Sequence, residues 1–290
     1  MSYTHPNYLV TAEEVNAHLD DSDWRIFDTA VYLTPEGTGG YRIDSGTTSY
    51  EQGRIPGAGF IDLVEDWADT TSPLRFTLPE RAALQSAIGA SGISPEHRVV
   101  LYSSGHLMWA TRAWWLLYHA GHRNVAILNG NLTAWKSAGL PLETGSSAYP
   151  ATTFAPDAEE VNGFASTAEV ERGMHGAVCT INALTRTLYE GTGDFYYVRR
   201  GHIPGSFNLY YDALLDNEFF KPADELRTTL AETGALDAQE VITYCGGGIA
   251  ATLDAFACLL VGQESVRVYD GSMSEWVADP ERPLTEGAQP

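Results

Sequence analysis

The side chain best placed for chemistry is the thiol of Cys245. It follows a short β-branched and aromatic run at 241–244 and precedes three glycines at 246–248. An alanine-rich apolar stretch without a helix breaker begins at Ala250. These runs predict a buried strand, a glycine loop and a helix, with the thiol at the carboxyl end of the strand.

Such a loop is suited to binding an anion on or beside the sulfur. Glycine has no Cβ and can adopt positive φ, so the backbone N–H groups can turn inward. The amino terminus of the helix adds unpaired N–H groups and the positive end of its dipole, a setting that can lower a thiol pKa from about 8.5 to roughly 3.5–7.5. We therefore predict that Cys245 is a nucleophile. The backbone predicted to bind substrate belongs to Gly246, Gly247, Gly248, Ile249 and Ala250.

A purely structural cysteine is the alternative, since free cysteine is among the most buried residue types. The strand, the glycines and the helix together favour the nucleophile.

The chain contains an internal repeat. Gly-Arg-Ile-Pro-Gly at 53–57 has a counterpart in Gly-His-Ile-Pro-Gly at 201–205, and the run 99–102 before Ser103 mirrors the run before Cys245. Self-similarity over this distance indicates a duplicated unit. Since the first unit has Ser103 where the second has Cys245, only the second can provide a thiolate.

The first unit could instead be a serine–histidine hydrolase, because His106 lies three residues after Ser103. The G-x-S-x-G elbow of such enzymes is absent, which disfavours this alternative. The tryptophans that follow, Trp109, Trp114 and Trp115, are predicted to pack in the core or between domains.

Alternation of short β-rich runs with helical stretches predicts an α/β fold with two domains, each a mostly parallel β-sheet flanked by helices on both faces. Ligands of such sheets bind beyond the carboxyl ends of the strands, where Cys245 lies. The predicted boundaries are 1–145 for a first domain that lacks the thiol, 146–162 for a small, polar linker, and 163–290 for the thiol-bearing domain.

The composition excludes several classes of partner. Acidic residues outnumber basic ones by 38 to 17, for a formal net charge of −21, and the only lysines are Lys136 and Lys221. A nucleic acid or an anionic membrane would need a basic surface, so neither is predicted as a partner. An anionic substrate would need a local positive site, which makes individual arginines informative.

The three cysteines, Cys179, Cys245 and Cys258, are too widely spaced for a CxxC metal site and do not suggest a disulfide framework. A reducing compartment fits them. The amino terminus has no basic region followed by an apolar run, so no signal peptide is predicted, and no apolar run of about 18 residues occurs in the given sequence. We predict a cytoplasmic protein. No metal, flavin or nucleotide cofactor is predicted, because no ligand cluster or phosphate-binding lysine motif occurs.

With these motifs identified, the chain resembles the tandem-rhodanese sulfurtransferases, a family of thiosulfate and 3-mercaptopyruvate sulfurtransferases. The resemblance rests on the paired G-x-I-P-G motifs and the cysteine loop, and it extends over essentially the whole chain. It implies two rhodanese-like domains, of which the second is catalytic. By resemblance, Cys245 takes a sulfane sulfur from a small donor, holds it as a persulfide and passes it to a thiophilic acceptor such as cyanide, a thiol or a thioredoxin-like protein.

The donor is less clear from the resemblance. Thiosulfate-type members tend to have C-R-K-G-V-T and mercaptopyruvate-type members C-G-S-G-V-T, whereas this chain has Cys-Gly-Gly-Gly-Ile-Ala from position 245. A loop without cations disfavours the thiosulfate dianion, so 3-mercaptopyruvate is slightly preferred. The chain departs from the mercaptopyruvate type at three places. Gly247 stands where that type has a serine proposed to relay a proton, and Leu188 stands where it has a carboxylate-binding arginine. A histidine of that type would fall near Phe76 and is absent here.

Three other arginines are candidates for binding the donor anion, namely Arg186, Arg199 and Arg200. They are equally well explained as solvated surface charges. His202 of the second G-H-I-P-G motif and Asp62 are predicted to be structural.

Two further functions compete with the sulfurtransferase. Phosphatases of the same fold have a C-x5-R loop, but Ala251 stands six residues after Cys245, so phosphate chemistry is disfavoured. A non-enzymatic persulfide carrier or protein-binding module shares every feature noted above and stays open.

Overall fold

The computed structural model of the chain describes residues 2–36, 40–156, 161–193 and 197–290. Part of the predicted linker, residues 157–160, lies outside the described residues. The described chain contains two sheets of five parallel strands, each with helices on both faces. The predicted α/β fold class is confirmed.

The first half of the chain contributes seven strands and five helices to the described structure. The strands are β1 (Leu9–Val10), β2 (Trp24–Asp28), β3 (Val31–Pro35), β4 (Tyr41–Ser45), β5 (Gly59–Phe60), β6 (Arg98–Tyr102) and β7 (Val125–Leu128). The helices are α1 (Ala12–Ala17), α2 (Thr47–Gln52), α3 (Arg81–Ala90), α4 (Met108–His119) and α5 (Asn131–Ser137), and a 3-10 helix spans Pro6–Tyr8.

The second half repeats this plan. Its strands are β8 (Phe164–Ala165), β9 (Cys179–Asn182), β10 (Ser206–Asn208), β11 (Leu215–Asp216), β12 (Phe219–Phe220), β13 (Val241–Tyr244) and β14 (Val266–Tyr269). Its helices are α6 (Thr167–Arg172), α7 (Arg186–Glu190), α8 (Ala223–Ala231), α9 (Ala251–Leu260) and α10 (Ser272–Trp276), with a π-helix at Gly173–Ala177 and a 3-10 helix at Tyr211–Leu214.

The strand order shows the duplication in three dimensions. It is β1-β7-β6-β2-β5 in the first sheet and β8-β14-β13-β9-β10 in the second, so each strand has a counterpart at the same place. Strands β6 and β13 lie at the centre, and β13 is buried along its whole length. Continuous apolar runs of this kind are typical of parallel strands covered on both faces.

The paired Ile-Pro-Gly motifs serve the same structural purpose in both halves. The hydroxyl of Tyr102, the last residue of β6, accepts from the N–H of Ile55 at 3.2 Å, and that of Tyr244 in β13 accepts from the N–H of Ile203 at 3.0 Å. His202 places its ring nitrogens 2.8 and 3.1 Å from the carbonyl oxygens of Tyr189 and Gln289. The predicted structural role of His202 is confirmed.

Helices α4 and α9, which follow the two equivalent loops, pack against each other and join the halves. The rings of Trp114 and Phe256 meet edge to face with centroids 4.8 Å apart, and the hydroxyls of Thr111 and Thr252 lie 2.8 Å apart. Trp109 and Trp115 are also fully buried. The tryptophans therefore pack in the core and between the halves, as predicted. No helix in the described part of the chain is long and apolar enough to cross a bilayer.

Helix α9 contains a carboxyl group in an apolar setting. Asp254 is fully buried, and neither of its carboxyl oxygens has a hydrogen-bond partner among the described residues. Burial raises the pKa of this carboxyl well above its ordinary value of 3.8. The native protein therefore keeps a proton on Asp254 that the unfolded chain releases above about pH 4.

Because the native state binds the extra proton, raising the pH destabilises it. We expect the free energy of unfolding of the wild type to fall, relative to Asp254→Asn, by about 1.4 kcal/mol per pH unit between pH 4 and the pKa of the buried group. Urea unfolding at pH 5, 6 and 7 measures this, with the exposed Asp224→Asn as control. Parallel pH profiles for wild type and Asp254→Asn would contradict the prediction.

Candidate active site

Cys245 lies at the carboxyl end of the central strand β13, and α9 begins six residues later at Ala251. This is the predicted strand–loop–helix arrangement; residues 245–250 are called the cysteine loop below. Of its three glycines, only Gly248 has positive φ, at +75°. A Cβ on Gly248 would lie 2.5 Å from the carbonyl oxygen of Asp270, so the close approach of the loop to the end of β14 requires glycine there.

The hydroxyl of Ser272, at the start of α10, holds the two ends of the glycine run. It accepts from the N–H of Cys245 at 3.0 Å and from the N–H of Gly248 at 3.1 Å, and it donates to the carbonyl of Tyr269 at 2.8 Å. The carbonyl of Gly246 accepts from Ser274. The carbonyls of Cys245 and Gly246 therefore face α10, and four N–H groups of the loop remain.

Those remaining N–H groups are open. No oxygen in the described part of the chain accepts from the N–H of Gly246, Gly247, Ile249 or Ala250. Ile249 and Ala250 are buried, and Gly246 and Gly247 are half-buried. N–H groups at the start of a helix have no partner within the helix, so this set is available to an anionic ligand. Cys245 as a whole residue is only 3% exposed. The structure therefore brings Cys245 together with the predicted loop backbone, although their roles stay predictions.

Arg112 extends from α4 of the first half and binds the cysteine loop at the carbonyl of Gly248. Its side chain is 1% exposed, and its Nη1 lies 3.2 Å from the carbonyl oxygen of Gly248 and 2.8 Å from Oδ1 of Asp270. Its Nη2 donates to the carbonyl of Phe76 at 2.6 Å. Asp270 also accepts from the N–H of Leu78 at 2.8 Å. The loop is therefore tied to residues 76–78 of the first half.

Tyr197 covers the other side of the loop. A Cβ on Gly246 would lie 2.2 Å from the Tyr197 hydroxyl, which shows how closely this hydroxyl packs on the residue after the thiol. Burial, and next the charge of Cys245, raise the pKa of Tyr197 well above 10. Burial and the neighbouring Tyr210, Asp212 and Cys245 raise the pKa of Tyr211 in the same direction. Both phenols therefore stay protonated donors near the thiol.

The three candidate arginines make other contacts. Nε of Arg186 lies 2.6 Å from Glu190, and its Nη2 donates to the carbonyl of Ala288 at 3.1 Å. Arg199 donates through Nη1 and Nη2 to the carbonyls of Asp279 and Arg282, at 2.9 and 2.8 Å. Nη1 of Arg200 donates to the carbonyl of Gly191 at 3.3 Å. The structure does not group these arginines around the thiol, and their anion-binding role stays a prediction.

Two cavities lie near these groups. One of about 530 Å³ is lined by Arg199 and Arg200 together with Val198, Leu284 and Glu286. The other, of about 410 Å³, is formed by the first half and includes Arg75 and Phe76 in its lining. The carbonyl oxygen of Arg75, a lining residue, is 4.0 Å from the position of a Cβ on Gly247, although no residue of the cysteine loop lines this second cavity. It is large enough for a small-molecule substrate.

The equivalent loop of the first half, residues 103–107, does not form a serine–histidine pair. The Ser103 hydroxyl accepts from the N–H of Gly105 at 3.0 Å, whereas Nδ1 of His106 accepts from the N–H of Met108 at 3.1 Å. Residues 103–107 are called the first-half loop below.

Among the described residues, no group of three or more His, Cys, Asp or Glu side chains is arranged to hold a metal ion.

Comparison with known proteins identifies the family. The rhodanese-like domain matches residues 11–138 and 185–279. The chain belongs to the rhodanese-like family. A probable 3-mercaptopyruvate sulfurtransferase of Pseudomonas aeruginosa is 33% identical over 96% of this chain and 98% of its own length. A putative thiosulfate sulfurtransferase of Mycobacterium tuberculosis, SseB, is 34% identical over 85% of this chain and 89% of its own length.

Solved structures agree with the sequence relatives. The crystal structure of SseA, a 3-mercaptopyruvate sulfotransferase of Escherichia coli, superposes with a TM-score of 0.80 at 28% identity and covers 91% of this rhodanese-like chain and 98% of its own. The predicted family and sulfurtransferase class are confirmed, and small sulfur donors and acceptors are the substrates of this class. The relatives' names divide between two donors, so the donor preference is untested.

Sequence reasoning missed several residues that shape this rhodanese-like site. Arg112 had a signal, as the one charged residue within the helical run 108–118, which is otherwise almost entirely apolar. Ser272 also had one, because Gly271-Ser272 repeats Gly130-Asn131. Tyr197 had none, since it lies outside every motif. Near Phe76, where a family histidine was expected, the chain supplies a backbone carbonyl to Arg112.

The contact of Tyr197 with Gly246 can be tested by substitution. We expect Gly246→Ala to lower kcat/KM for sulfur transfer about tenfold or more, because the added methyl displaces the hydroxyl and shifts the loop. In a Tyr197→Phe background the same substitution should cost less, since the nearest ring carbon is 3.4 Å away. Gly247→Ala, with no atom closer than 4.0 Å, should cost less than Gly246→Ala. Equal losses from Gly246→Ala in both backgrounds would contradict the contact.

Proposed function

We propose that this protein transfers a sulfane sulfur from a small anionic donor to a thiophilic acceptor through a persulfide on Cys245. The observation that supports this most directly is a set of four N–H groups in the cysteine loop that have no acceptor among the described residues, at Gly246, Gly247, Ile249 and Ala250. In this proposal, residues 163–290 form the catalytic domain. Residues 1–145, joined to it by the linker 146–162, form an inactive domain that walls one side of the site.

The chemistry proceeds in two displacements. The Cys245 thiolate attacks the transferable sulfur of the donor, a new S–S bond forms, and the donor's bond to that sulfur breaks. The leaving group keeps the electron pair, as sulfite from thiosulfate or as pyruvate enolate from 3-mercaptopyruvate, and the enolate then takes up a proton. The acceptor attacks the outer persulfide sulfur, and Cys245 leaves as thiolate.

The open N–H groups can serve both steps. They can donate to the anionic donor on arrival and to the persulfide anion afterwards, and donors fixed in advance stabilise charge without reorganisation. The protonated Tyr197 hydroxyl packs against Gly246, the residue after the thiol. The buried Arg112 fixes the loop carbonyl that it binds at Gly248 and is itself paired with Asp270.

We propose 3-mercaptopyruvate as the preferred donor over thiosulfate. The cysteine loop has no cationic side chain, and the cation beneath it, Arg112, is paired with a carboxylate. A singly charged carboxylate is better suited than a dianion to such a site, because less charge has to be compensated. The acceptor is proposed to be cyanide, a thiol or a thioredoxin-like protein. We propose a cytoplasmic setting, in keeping with three free cysteines.

The covalent mechanism is tested by mass spectrometry together with steady-state transfer. Donor-treated wild type should gain roughly 32 Da, one sulfur atom, on the peptide containing Cys245, and Cys245→Ser should gain none and transfer no sulfur to cyanide. Cys258→Ser is the matched control, since that thiol is fully buried. Comparable turnover by Cys245→Ser would refute the mechanism.

Persulfide formation without turnover from either donor would instead support a non-enzymatic carrier. That outcome would keep Cys245 as the sulfur-binding residue and would exclude catalytic transfer from these donors.

Single substitution of Arg186, Arg199 and Arg200 by alanine locates the donor's anion site. The arginine that binds the anion should raise KM at unchanged kcat when removed, because uniform ground-state binding is lost. Arg199→Ala should also lower the unfolding temperature, since Arg199 binds two backbone carbonyls. Unchanged KM in all three variants would assign anion binding to the loop N–H groups alone.

A further inference from the structure

The first-half loop has kept the inward-facing N–H groups of the cysteine loop, but here they are occupied. The N–H of Ser103 donates to Oδ1 of Asn131 at 2.5 Å, and that of Ser104 donates to Oδ1 of Asp28 at 3.0 Å. The N–H of Leu107 donates to Oε2 of Glu218 at 2.9 Å. Side-chain oxygens from three separate elements thus fill the loop.

Glu218 is the unusual partner, because it comes from the second half. It lies in the turn of the β11–β12 hairpin, and the same oxygen that accepts from Leu107 also accepts from Nδ2 of Asn131 at 3.0 Å. Both turn residues have positive φ, +49° at Asn217 and +71° at Glu218. Turns of this kind favour glycine at the second position, so a glutamate there carries backbone strain that its side-chain contacts must offset.

The two groups that donate to Glu218 can be compared with their counterparts in the second half. Counted from the end of the central strand, Leu107 holds the position of Ile249, whose N–H is open. Asn131 holds the position of Ser272; both have positive φ, and both accept from the first N–H of their loop. The amide of Asn131 adds a donor that the Ser272 hydroxyl, already donating to Tyr269, does not offer. The first half therefore presents two donors to Glu218, the N–H of Leu107 and the amide of Asn131, and the second of these has no counterpart at Ser272.

We propose that the first-half loop is a carboxylate-binding site and that its ligand is Glu218 of the second half. The carboxylate lies at the amino terminus of α4, a twelve-residue helix, where the dipole favours negative charge. Nε2 of His106 lies 3.7 Å from the other carboxylate oxygen and 3.3 Å from Oδ1 of Asp212. The Phe219 ring packs on Gly130, where a Cβ would clash with it at 2.2 Å.

This site fastens the two halves together close to the thiol. The hairpin that carries Glu218 follows the 3-10 helix Tyr211–Leu214 directly. Tyr211 in that helix meets the His106 ring edge to face, with centroids 5.2 Å apart. The bound carboxylate thereby holds the segment that carries Tyr211 against the first half. The proposal concerns binding and stability, so it does not depend on the proposed function.

Exogenous carboxylate tests the site. Glu218→Ala should lower the unfolding temperature by about 3–8 °C, since two hydrogen bonds to a charged group are lost. Acetate should restore at least half of that loss relative to chloride at equal ionic strength, because it can bind the vacated donors. Wild type and Glu232→Ala, which removes an exposed carboxylate elsewhere, should show no such difference between the two salts. No loss in Glu218→Ala, or no selective gain from acetate, would overturn the proposal.

Asn131→Asp supplies the matched specificity control. It keeps the oxygen that accepts from Ser103 and replaces the donor amide with a carboxylate, and aspartate tolerates positive φ. Acetate should not rescue Glu218→Ala combined with Asn131→Asp; persistent rescue would place the ion elsewhere and overturn the proposal.

If Glu218→Ala does not fold, a double-mutant cycle with Glu218→Gln tests the same contact. Asn131→Asp should lower the unfolding temperature more in the wild type than in Glu218→Gln, because only the wild type sets two carboxylates against each other. Equal losses would overturn the proposal.

Discussion

The organisation of this protein depends on how the backbone N–H groups of one tight loop are satisfied. A loop that turns its N–H groups inward at the end of a buried strand must find acceptors for them or leave them to a ligand. In the cysteine loop, Ser272 takes the N–H groups of Cys245 and Gly248, and four others have no acceptor in the described part of the chain. The unpaired donors belong to the same loop as the thiol, and the anion binding proposed for this rhodanese-like site rests on them.

The duplication provides an internal comparison for that constraint. Both halves have the same strand order, and both place a residue with positive φ, Asn131 or Ser272, against the first N–H of the loop. The first half then fills its loop with the carboxylates of Asp28 and Glu218. One architecture therefore leaves four loop N–H groups without acceptors among the described residues of one half and pairs the loop with carboxylates in the other, and the difference lies in a few side chains.

In this strongly acidic protein, groups close to the thiol have to compensate the negative charge of the proposed donor. A net charge of −21 would repel an anionic donor, and the cysteine loop contains no cationic side chain to counter it. Backbone N–H groups, a helix amino terminus and protonated phenols provide fixed partial charges that need no counter-ion. The buried guanidinium of Arg112 has a mechanical role, since it ties the Gly248 carbonyl, Asp270 and Phe76 together across the two halves.

Local sequence was sufficient for the features that depend on neighbouring residues. The β-branched run before Cys245, the glycines after it and the repeated Ile-Pro-Gly turns predicted the strand, the loop, the helix and the duplication, because propensity and periodicity act over a few residues. Arg112, Tyr197 and Glu218 reach their partners over separations of 36 to 158 residues, the extremes being Arg112 to Phe76 and Arg112 to Asp270. Only the packing of α4 on α9 and the insertion of the hairpin turn decided those contacts, and no local pattern encodes which distant backbone a side chain meets.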